Sequence, residues 1–519
     1  MNIVKASAAA LLCCATLGAA SSPRADLVIR GGTIYPGDAA PFVGDIAISG
    51  DRIVFVGKRA PRSGARIIDA RGMIVAPGFI DPHTHAEGML LSSDARERLV
   101  EPFLMQGVTT AFIGNDGGGA IDVAATLGSA ATKPAGINFA TYIGFGAVRQ
   151  AVVGAARRAP TPDELAKMKA LVARGMCAGA LGLSTGLFYA PQSFAETGEV
   201  VAVAREAASR GGSYDSHIRD ESSYTVGLNG AIAEALTIGR EARMHVHIAH
   251  IKALGVDVQG QASAVIAQVE AAQRHGQHVT ADQYPWSASG TSLVASLVPL
   301  WAQDGGRAVL LKRFDDPSLT ERLQRDMTEN MRKRGGPDTL LITEGPEKGR
   351  TLAQVAARLK LAPIAAAIAT IRVDDPAVAS FNQTEADIAA FMRRPWVMTG
   401  SDASAGHPRV YGSFARKYAK YVVADSVLPL RDFIHRSSTL AADTFKLAGR
   451  GRLRQGGFAD VVVFDPRSYA ARATFEQPTL TATGVRTVIV NGAVAVEDGA
   501  PTGRAAGRAL ARTTTGGCR

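Results

Sequence analysis

Residues 78–88 have the sequence GFIDPHTHAEG, in which an apolar run leads into two closely spaced histidines. In a β-strand, His83 and His85 lie two residues apart and therefore point to the same side. Two imidazoles on one face can bind one metal ion. A His-x-His pair is also common as a surface or core detail, so the surrounding sequence has to distinguish the two interpretations.

Short apolar strands alternate with helical stretches on either side of this motif, which predicts a parallel sheet. One intervening helix has Thr161 as its N-cap, Pro162 at its first position and Glu164 completing a capping box. Eight candidate strands end near His85, Asp116, Gly146, Gly186, His217, His250, Tyr284 and Asp402. Eight strands of this kind predict an α/β fold, a (β/α)8 TIM-type barrel over residues 80–448.

The two ends of the chain have a different pattern, with alternating apolar and polar residues cut by glycine-rich turns. Residues 26–79 and 449–508 are therefore expected to pair into one small β-sandwich domain, followed by a tail at 509–519. The segment between the seventh and eighth strands is too long for a simple connection. About residues 287–345 are predicted to form an insertion near the barrel mouth, either a lid or a passive surface decoration.

The composition of the 519 residues is that of a globular protein, with 46% hydrophobic and 20% charged residues. The net charge is +10, but the basic residues are scattered and form no stripe, which argues against a nucleic-acid partner. A mild attraction for small anionic substrates is the more economical interpretation. No stable membrane span is expected, and the oligomeric state is left open.

Residues 1–20 have the layout of a secretory signal peptide: Lys5, an apolar stretch and then small residues before Ser21. The stretch is too short for a membrane span with proper flanks. The sequence therefore predicts a secreted or periplasmic protein. Lipid anchoring at Cys13 or Cys14 is an alternative, although the preceding leucines are not the small residues that a lipobox prefers.

The other two cysteines of the chain, Cys177 and Cys518, are far apart in sequence. No disulfide framework is expected from them, so stability is expected to come from packing. Cys177 lies among small apolar residues with no histidine near it in sequence, which favours a buried structural thiol over a nucleophile.

Metal-type side chains end several of the candidate strands. The carboxyl ends of barrel strands converge on one mouth, where barrel active sites are built. A metal site is therefore expected there, formed by His83, His85, His217, His250 and Asp402. His245 and His247 lie inside a strand and are expected to be structural. Asp402 has an alternative role as a cap of the following loop, beside Ser401 and Ser404.

Longer phrases around these residues resemble those of the amidohydrolase superfamily, and within it those of the N-acyl-D-amino-acid deacylases, the D-aminoacylase branch. The phrases are GALGLSTGLFYAP (179–191), SHIRDE (216–221), AHIKALG (249–255), DQYPWSASGT (282–291), HPRVYGSFAR (407–416), FADVVVFDP (458–466) and GVRTVIVNG (484–492). Together they cover most of residues 26–508.

The resemblance implies hydrolysis of the amide bond of N-acyl-D-amino acids to a carboxylate and a free D-amino acid. A metal-activated hydroxide attacks the amide carbon, and Asp402 acts as general base and then as general acid. The expected cofactor is zinc, as one or two divalent ions. In this scheme His217 and His250 hold the tighter ion, His83 and His85 a second or weaker one, and Asp116 is shared.

The resemblance also places substrate-binding residues at Tyr189, Lys252, Tyr284 and Arg409. A buried carboxylate needs several hydrogen-bond donors. Lys252, Tyr284 and Arg409 are therefore expected to clamp the α-carboxylate of the small-molecule substrate. Solvated loop positions for the two cations, and a packing role for Tyr284, are the alternatives.

Two positions depart from the family pattern. Relatives have Gly-Asn-Cys-Gly with a metal-binding cysteine where residues 114–117 are Gly-Asn-Asp-Gly. Asp116 can bridge two ions, but it is a harder ligand than a thiolate and relaxes the preference for zinc; alternatively it only starts the glycine loop. Relatives commonly have a histidine at the position of Phe145, so the pocket is expected to differ.

Other functions remain open at this stage. A cyclic amidase or a dipeptidase can be built on the same barrel, but cyclic-amide relatives often carry a carbamylated lysine. Lys252, two residues past His250, is the one lysine near a strand end. A non-catalytic scaffold is disfavoured because it has no physical need for all five predicted ligands.

Overall fold

A closed barrel of eight parallel strands forms the centre of the protein, which we describe from a computed structural model covering residues 25–61, 65–513 and 517–518. The strands, numbered one to eight below, are Phe79–Asp81, Val108–Ile113, Asn138–Thr141 continued by Ile143–Gly144, Gly182–Gly186, Ser213–His217, Val246–Ile248, Val279–Gln283 and Val397–Thr399. Neighbouring strands pair in this order, and a bridge from Thr84 to Ala403 joins the first to the eighth. The predicted (β/α)8 barrel is confirmed.

Helices surround the barrel and cover its strands. The longer ones are Phe145–Val152, Pro162–Cys177, Thr197–Ala208, Gly227–Ala242, Ala262–Arg274, Glu385–Met392 and Arg409–Arg416. The other helical segments are Glu87–Leu90, Glu97–Leu99, Glu101–Leu104, Val123–Gly128, Ser129–Ala131, Gln192–Phe194, Lys417–Ala424, Leu430–Ile434, His435–Thr439 and Leu440–Thr444. The predicted capping box of Thr161 and Glu164 is present, with Pro162 in the first turn.

Both ends of the chain contribute to one nine-stranded sheet. Its strands are Leu27–Ile34, Phe42–Ser49, Arg52–Gly57, Arg66–Asp69, Ile74–Pro77, Val461–Phe464, Val485–Val490, Ala493–Glu497 and Ala500–Pro501. The two halves join where Ile74–Pro77 pairs antiparallel with Val461–Phe464. Side chains alternate in this last strand: Val462 and Phe464 pack towards the barrel, while Val461 and Val463 enter the core of the β domain itself.

The insertion between the seventh and eighth strands runs from Ala288 to Phe381, further than the predicted end near residue 345. It contains a three-stranded sheet and its own apolar core. Its strands are Ala288–Ser292, Leu340–Ile342 and Ala377–Phe381. Its helical segments are Leu293–Leu297, Leu300–Gln303, Arg307–Asp315, Pro317–Leu319, Thr320–Lys333, Pro337–Thr339, Leu352–Leu359 and Pro363–Val373.

Cys177 and Cys518 form a disulfide, so the expectation of two unpaired cysteines is wrong. The C-terminal segment crosses the bottom of the barrel, where Phe139 N donates to Arg508 O and Leu510 N donates to Phe139 O. This path brings the cysteine Cα atoms within 5.4 Å, although they are 341 residues apart in sequence. Cys177 is half-buried at the end of its helix and is not the buried thiol that was expected.

Among the described residues, no single helix is both long and apolar enough to cross a membrane. One bent pair in the insertion, Leu352–Leu359 with Pro363–Val373, meets the criterion only when its two helices are taken together, and they meet at 93°. The predicted signal peptide, including Cys13 and Cys14, lies outside the described residues.

Candidate active site

The six predicted metal ligands all lie at the carboxyl ends of barrel strands. His83 and His85 follow the first strand, Asp116 the second, His217 ends the fifth, His250 follows the sixth and Asp402 the eighth. Three of them, Asp116, His250 and Asp402, have positive φ angles of 55°, 33° and 48°. Such backbone conformations are unfavourable for residues other than glycine and persist where the surrounding structure imposes them, often at functional sites.

The six side chains form two groups that share Asp116. One contains His83, His85, Asp116 and Asp402; the other contains Asp116, His217 and His250. Asp116 Oδ1 lies 3.4 Å from His83 Nε2 and 3.5 Å from His250 Nε2. Asp116 Oδ2 lies 3.4 Å from His85 Nε2 and 3.7 Å from His217 Nδ1. Each carboxylate oxygen thus faces one imidazole of each pair, an arrangement suited to bridging two ions.

Several atoms of this cluster are buried and have no hydrogen-bond partner among the described residues. They include His83 Nε2 and Asp116 Oδ1. Buried polar atoms in folded proteins are normally hydrogen-bonded, so unpaired ligand atoms that face each other point to a missing cation. Imidazole nitrogens with carboxylate oxygens are a donor set that suits zinc and related divalent ions. The residues present therefore fit a metal centre.

Glu221 and Lys252 hold the outer nitrogen of His250. His250 Nδ1 lies 3.0 Å from Glu221 Oε1 and 2.8 Å from Lys252 Nζ, and Lys252 also pairs with Glu221. Burial alone would raise the pKa of Glu221, but Lys252 and the neighbouring histidines outweigh it and hold this pKa well below its usual range. A charged carboxylate behind a metal-binding imidazole fixes the orientation of the ring.

Sequence reasoning assigned no role to Glu221, although it stands four residues after His217 in the quoted SHIRDE phrase.

The position of Lys252 also bears on the cyclic-amide alternative. Asp116, not Lys252, lies between the two imidazole pairs. Lys252 therefore does not occupy the bridging position that a carbamylated lysine would need.

Asp282 of the seventh strand supports the cluster through hydrogen bonds from beneath it. The sequence analysis assigned no role to Asp282 either. Its Oδ2 is 3.0 Å from His247 Nε2 and accepts from the backbone N–H of His250 at 3.1 Å. His247 Nδ1 and His245 Nε2 both lie 2.8 Å from the Thr280 hydroxyl oxygen. Neither histidine belongs to a metal group, so both occupy the structural positions expected of them.

Asp402 lies between His85 and Arg409 and does not cap a loop. Its Oδ1 is 3.2 Å from His85 Nε2, and its Oδ2 is 2.7 Å from Arg409 Nη1. The neighbouring Ser401 hydroxyl accepts the N–H of Ala403 instead. Burial would raise the pKa of Asp402, but Arg409, His250 and His85 hold it well below its usual range. Asp402 is therefore an unprotonated carboxylate at neutral pH.

A cavity of about 390 Å³ opens over this cluster, and Tyr189, Lys252, Tyr284 and Arg409 all line it. The strand Ala288–Ser292 and Thr343 of the insertion line the opposite side. The insertion therefore forms one wall of the cavity and is not a remote decoration. Its Gly290 lies close to the guanidinium of Arg409, since a Cβ at this position would be 2.8 Å from Arg409 Nη2.

Both cations of the predicted carboxylate clamp already have anionic partners, Lys252 with Glu221 and Arg409 with Asp402. Arg409 Nε, however, has no hydrogen-bond partner. Phe145 is fully buried in the apolar core and does not line the cavity. Phenylalanine at position 145 therefore does not contact the cavity, and the predicted difference in the pocket is not produced by direct contact.

Comparison with known proteins places this geometry in a family, because residues 66–496 match the amidohydrolase family. The chain belongs to that family. It is 34% identical to the D-aminoacylase of Alcaligenes xylosoxydans xylosoxydans, covering 94% of this chain and 98% of that one. It is 32% identical to the N-acyl-D-glutamate deacylase of the same organism, covering 94% and 96%. Within the amidohydrolases, the chain thus falls in the D-aminoacylase branch.

Solved structures agree with this placement. A crystal structure of D-aminoacylase superposes with a TM-score of 0.80 at 31% identity, covering 94% of this chain and all of that one. The N-acyl-D-glutamate deacylase from Bordetella bronchiseptica, complexed with zinc and a phosphonate mimic of the tetrahedral intermediate, has a TM-score of 0.79 at 30% identity, with the same coverage. A dihydropyrimidinase from Brevibacillus agri, at 15% identity and a TM-score of 0.58, shares the fold alone.

Proposed function

We propose that this amidohydrolase is a metal-dependent N-acyl-D-amino-acid deacylase. The observation that carries the proposal is the position of Asp116 between two imidazole pairs, with Asp402 beside it at the floor of the cavity. The relatives in the D-aminoacylase branch support the substrate class and the D configuration. The products are a free D-amino acid and the carboxylate of the acyl group.

The protein's own groups have distinct parts in this reaction. A divalent ion held by the histidines, Asp116 and Asp402 would lower the pKa of a water molecule to about 7 and so supply a nucleophile for the amide carbon at neutral pH. Asp402 accepts the proton released by the water and delivers it to the leaving nitrogen. Arg409 keeps Asp402 charged between turnovers through their 2.7 Å contact. Glu221 and Asp282 keep His250 in its ligating orientation.

Zinc is the ion we propose for the site, at one or two equivalents. The imidazole-rich donor set supports zinc, and a relative's structure holds it. Asp116 offers a carboxylate oxygen, which also suits harder divalent ions, so the site is less selective for zinc than one with a thiolate ligand.

For the substrate we propose that Lys252, Tyr284 and Arg409 bind the α-carboxylate, with Tyr189 contacting the bound molecule beside His217. Arg409 Nε is available to an incoming carboxylate, since it has no partner in the structure. The Tyr189 ring packs 4.7 Å from the His217 ring, and its hydroxyl lies 3.3 Å from Thr291 Oγ1 of the insertion. This contact connects the insertion to the metal cluster.

The proposal is tested by metal analysis and by kcat/KM for N-acetyl-D- and N-acetyl-L-amino acids in wild type, His250→Ala and His275→Ala. His275 is an exposed histidine away from the cavity and serves as the matched control. We expect turnover of the D isomer only, loss of metal and activity together in His250→Ala, and no change in His275→Ala. Full metal content and turnover in His250→Ala, or a preference for the L isomer, contradicts the proposal.

We further propose that the protein is exported, secreted or periplasmic, with its mature chain beginning near Ser21. The Cys177–Cys518 disulfide supports an oxidising compartment, because disulfides persist there and are rare in the cytosol. Lipid anchoring at Cys13 or Cys14 is the alternative form of export. N-terminal sequencing of the mature protein separates the two.

A further inference from the structure

Three cationic side chains other than histidines line the cavity above the metal cluster: Lys252, Arg334 and Arg409. Lys252 is paired with Glu221, and Arg409 is paired with Asp402. Arg334 forms no ion pair with any carboxylate in the part of the chain that the structure describes. Arg334 is therefore the one non-histidine cation of this lining that has no carboxylate in contact with it among the described residues.

Arg334 comes from the insertion, directly after the helix Thr320–Lys333. The residue is 1% exposed. Its Nε donates to Ser296 O at 3.2 Å, but its Nη1 has no hydrogen-bond partner. Tyr224 also lines the cavity, and its hydroxyl interacts with the Arg334 guanidinium, whose centre lies 5.7 Å from the Tyr224 ring centre. A buried charge without a counterion is strongly unfavourable, so the guanidinium and its neighbouring hydroxyl are arranged for an anion from outside the chain.

The position of these donors restricts where such an acceptor can be on a bound molecule. The Tyr224 ring lies 5.6 Å from the Phe188 ring, which in turn lies 5.8 Å from the ring of His217. Two aromatic rings thus separate Arg334 from the metal cluster. An anion held at Arg334 belongs to a part of the substrate remote from the amide being hydrolysed. Glu344 also lines the cavity but forms no ion pair with Arg334.

We propose that Arg334 and the Tyr224 hydroxyl form a second anion subsite, which selects N-acyl-D-amino acids that carry a second carboxylate. This inference rests on the proposed function and names its substrate class. The second carboxylate comes either from an acidic side chain of the D-amino acid or from the far end of a dicarboxylic acyl group. Arg334 is then a specificity-determining residue, and the insertion that supplies it decides which substrates are accepted.

The test compares substrates that differ only in the second charge. N-acetyl-D-glutamate is compared with N-acetyl-D-glutamine, and N-succinyl-D-leucine with N-succinamoyl-D-leucine, in wild type and Arg334→Met. We expect one of the doubly charged substrates to be preferred, and Arg334→Met to lower its kcat/KM by about 10- to 100-fold and that of its neutral partner by less than about 3-fold. The pair that responds identifies the source of the carboxylate.

Two further variants distinguish the loss of the anion subsite from an effect on folding. Arg332→Met removes the same charge from the exposed face of the same helix, where Arg332 pairs with Asp257, and should leave the ratio of kcat/KM values unchanged. Tyr224→Phe removes only a hydroxyl and should lower the preference in the same direction as Arg334→Met, with an unchanged Tm. Equal losses on charged and neutral substrates, or no preference for either doubly charged substrate in wild type, overturn the proposal.

Calorimetric binding separates this inference from the proposed function. If wild type hydrolyses no N-acyl-D-amino acid but binds N-acetyl-D-glutamate more tightly than Arg334→Met does, the proposed function fails and the subsite stands. If both N-acetyl-D-glutamate and N-succinyl-D-leucine bind equally well to wild type and to Arg334→Met, the subsite is refuted whatever the activity.

Discussion

Asp116 is the residue on which the metal centre depends most, because each of its carboxylate oxygens faces two imidazoles. Replacement by asparagine keeps the size of the side chain but removes the charge and one ligand oxygen. We expect Asp116→Asn to lose at least one equivalent of metal and to lower kcat by about 100-fold or more, because both groups share this ligand. Metal content by mass spectrometry and kcat on an N-acetyl-D-amino acid measure this.

The matched control is Asp122→Asn, at an exposed helix N-cap after the same barrel strand, where asparagine caps as well as aspartate. It should keep both metal and activity. A further variant, Asp116→Cys, places a thiolate there and should sharpen the preference for zinc over harder ions. If Asp116→Asn leaves the metal stoichiometry unchanged, Asp116 is not a metal ligand and only starts the glycine loop.

The six predicted ligands could be proposed from the sequence more readily than the residues that support them. Each follows or ends an apolar strand, a local pattern that is visible in the sequence, and the structure brings their side chains together. Glu221, Asp282 and Arg334 could not, because what makes them matter is contact with residues of other strands or of the insertion. An arginine after a polar helix is usually solvated, and nothing local to Arg334 indicates that it is buried.

Among the elements, the insertion is held over the cavity by a loop of the β domain. Phe475 in this loop packs 4.6 Å from the ring of Phe381, at the end of an insertion strand, and 5.0 Å from the ring of His407. His407 lines the cavity and accepts the backbone N–H of Arg409. This contact therefore joins the β domain, the insertion and the substrate cavity.

We expect Phe475→Ala to loosen the insertion and raise KM several-fold, with a smaller effect on kcat because the metal ligands are not touched. The loss of a half-buried ring should lower Tm by no more than about 3 °C. Steady-state kinetics and thermal unfolding test this. Phe314→Ala, at a half-buried phenylalanine of the insertion that does not line the cavity, should leave KM unchanged. If the two variants have the same KM, the loop does not position the insertion.

Element boundaries followed from the sequence where local chemistry sets them, as in the capping box at Thr161. The end of the insertion was misjudged for a physical reason. Its last helices, Leu352–Leu359 and Pro363–Val373, are apolar on the side that packs into the insertion's own core, and in sequence such helices look like those of a barrel. Only the pairing of Ala377–Phe381 with Ala288–Ser292 assigns them to the insertion.

For the whole molecule, the Cys177–Cys518 disulfide fastens the C-terminal segment beneath the barrel, at the end opposite the cavity. Replacing Cys518 by serine should lower the free energy of unfolding by about 2 to 5 kcal/mol, because the bond closes a very long loop. Activity should change little. Thermal unfolding with and without reductant checks this: reduced wild type should match Cys518→Ser, and the Cys177→Ser/Cys518→Ser double variant should match both. A Tm that does not respond to reductant contradicts the expectation.

The pairing of Ile74–Pro77 with Val461–Phe464 has a consequence for how the chain is made. At a synthesis rate of about 5–20 residues per second, the first strands wait roughly 20 to 80 s for the partner that completes their sheet. During that interval Val75 and Ala76, fully buried in the final structure, lack the neighbouring strand that covers them. An unpaired apolar edge is a template for aggregation. Keeping the chain unfolded until synthesis is complete avoids this exposed edge. The unfolded state is also the state in which a polypeptide can be threaded through a translocation pore.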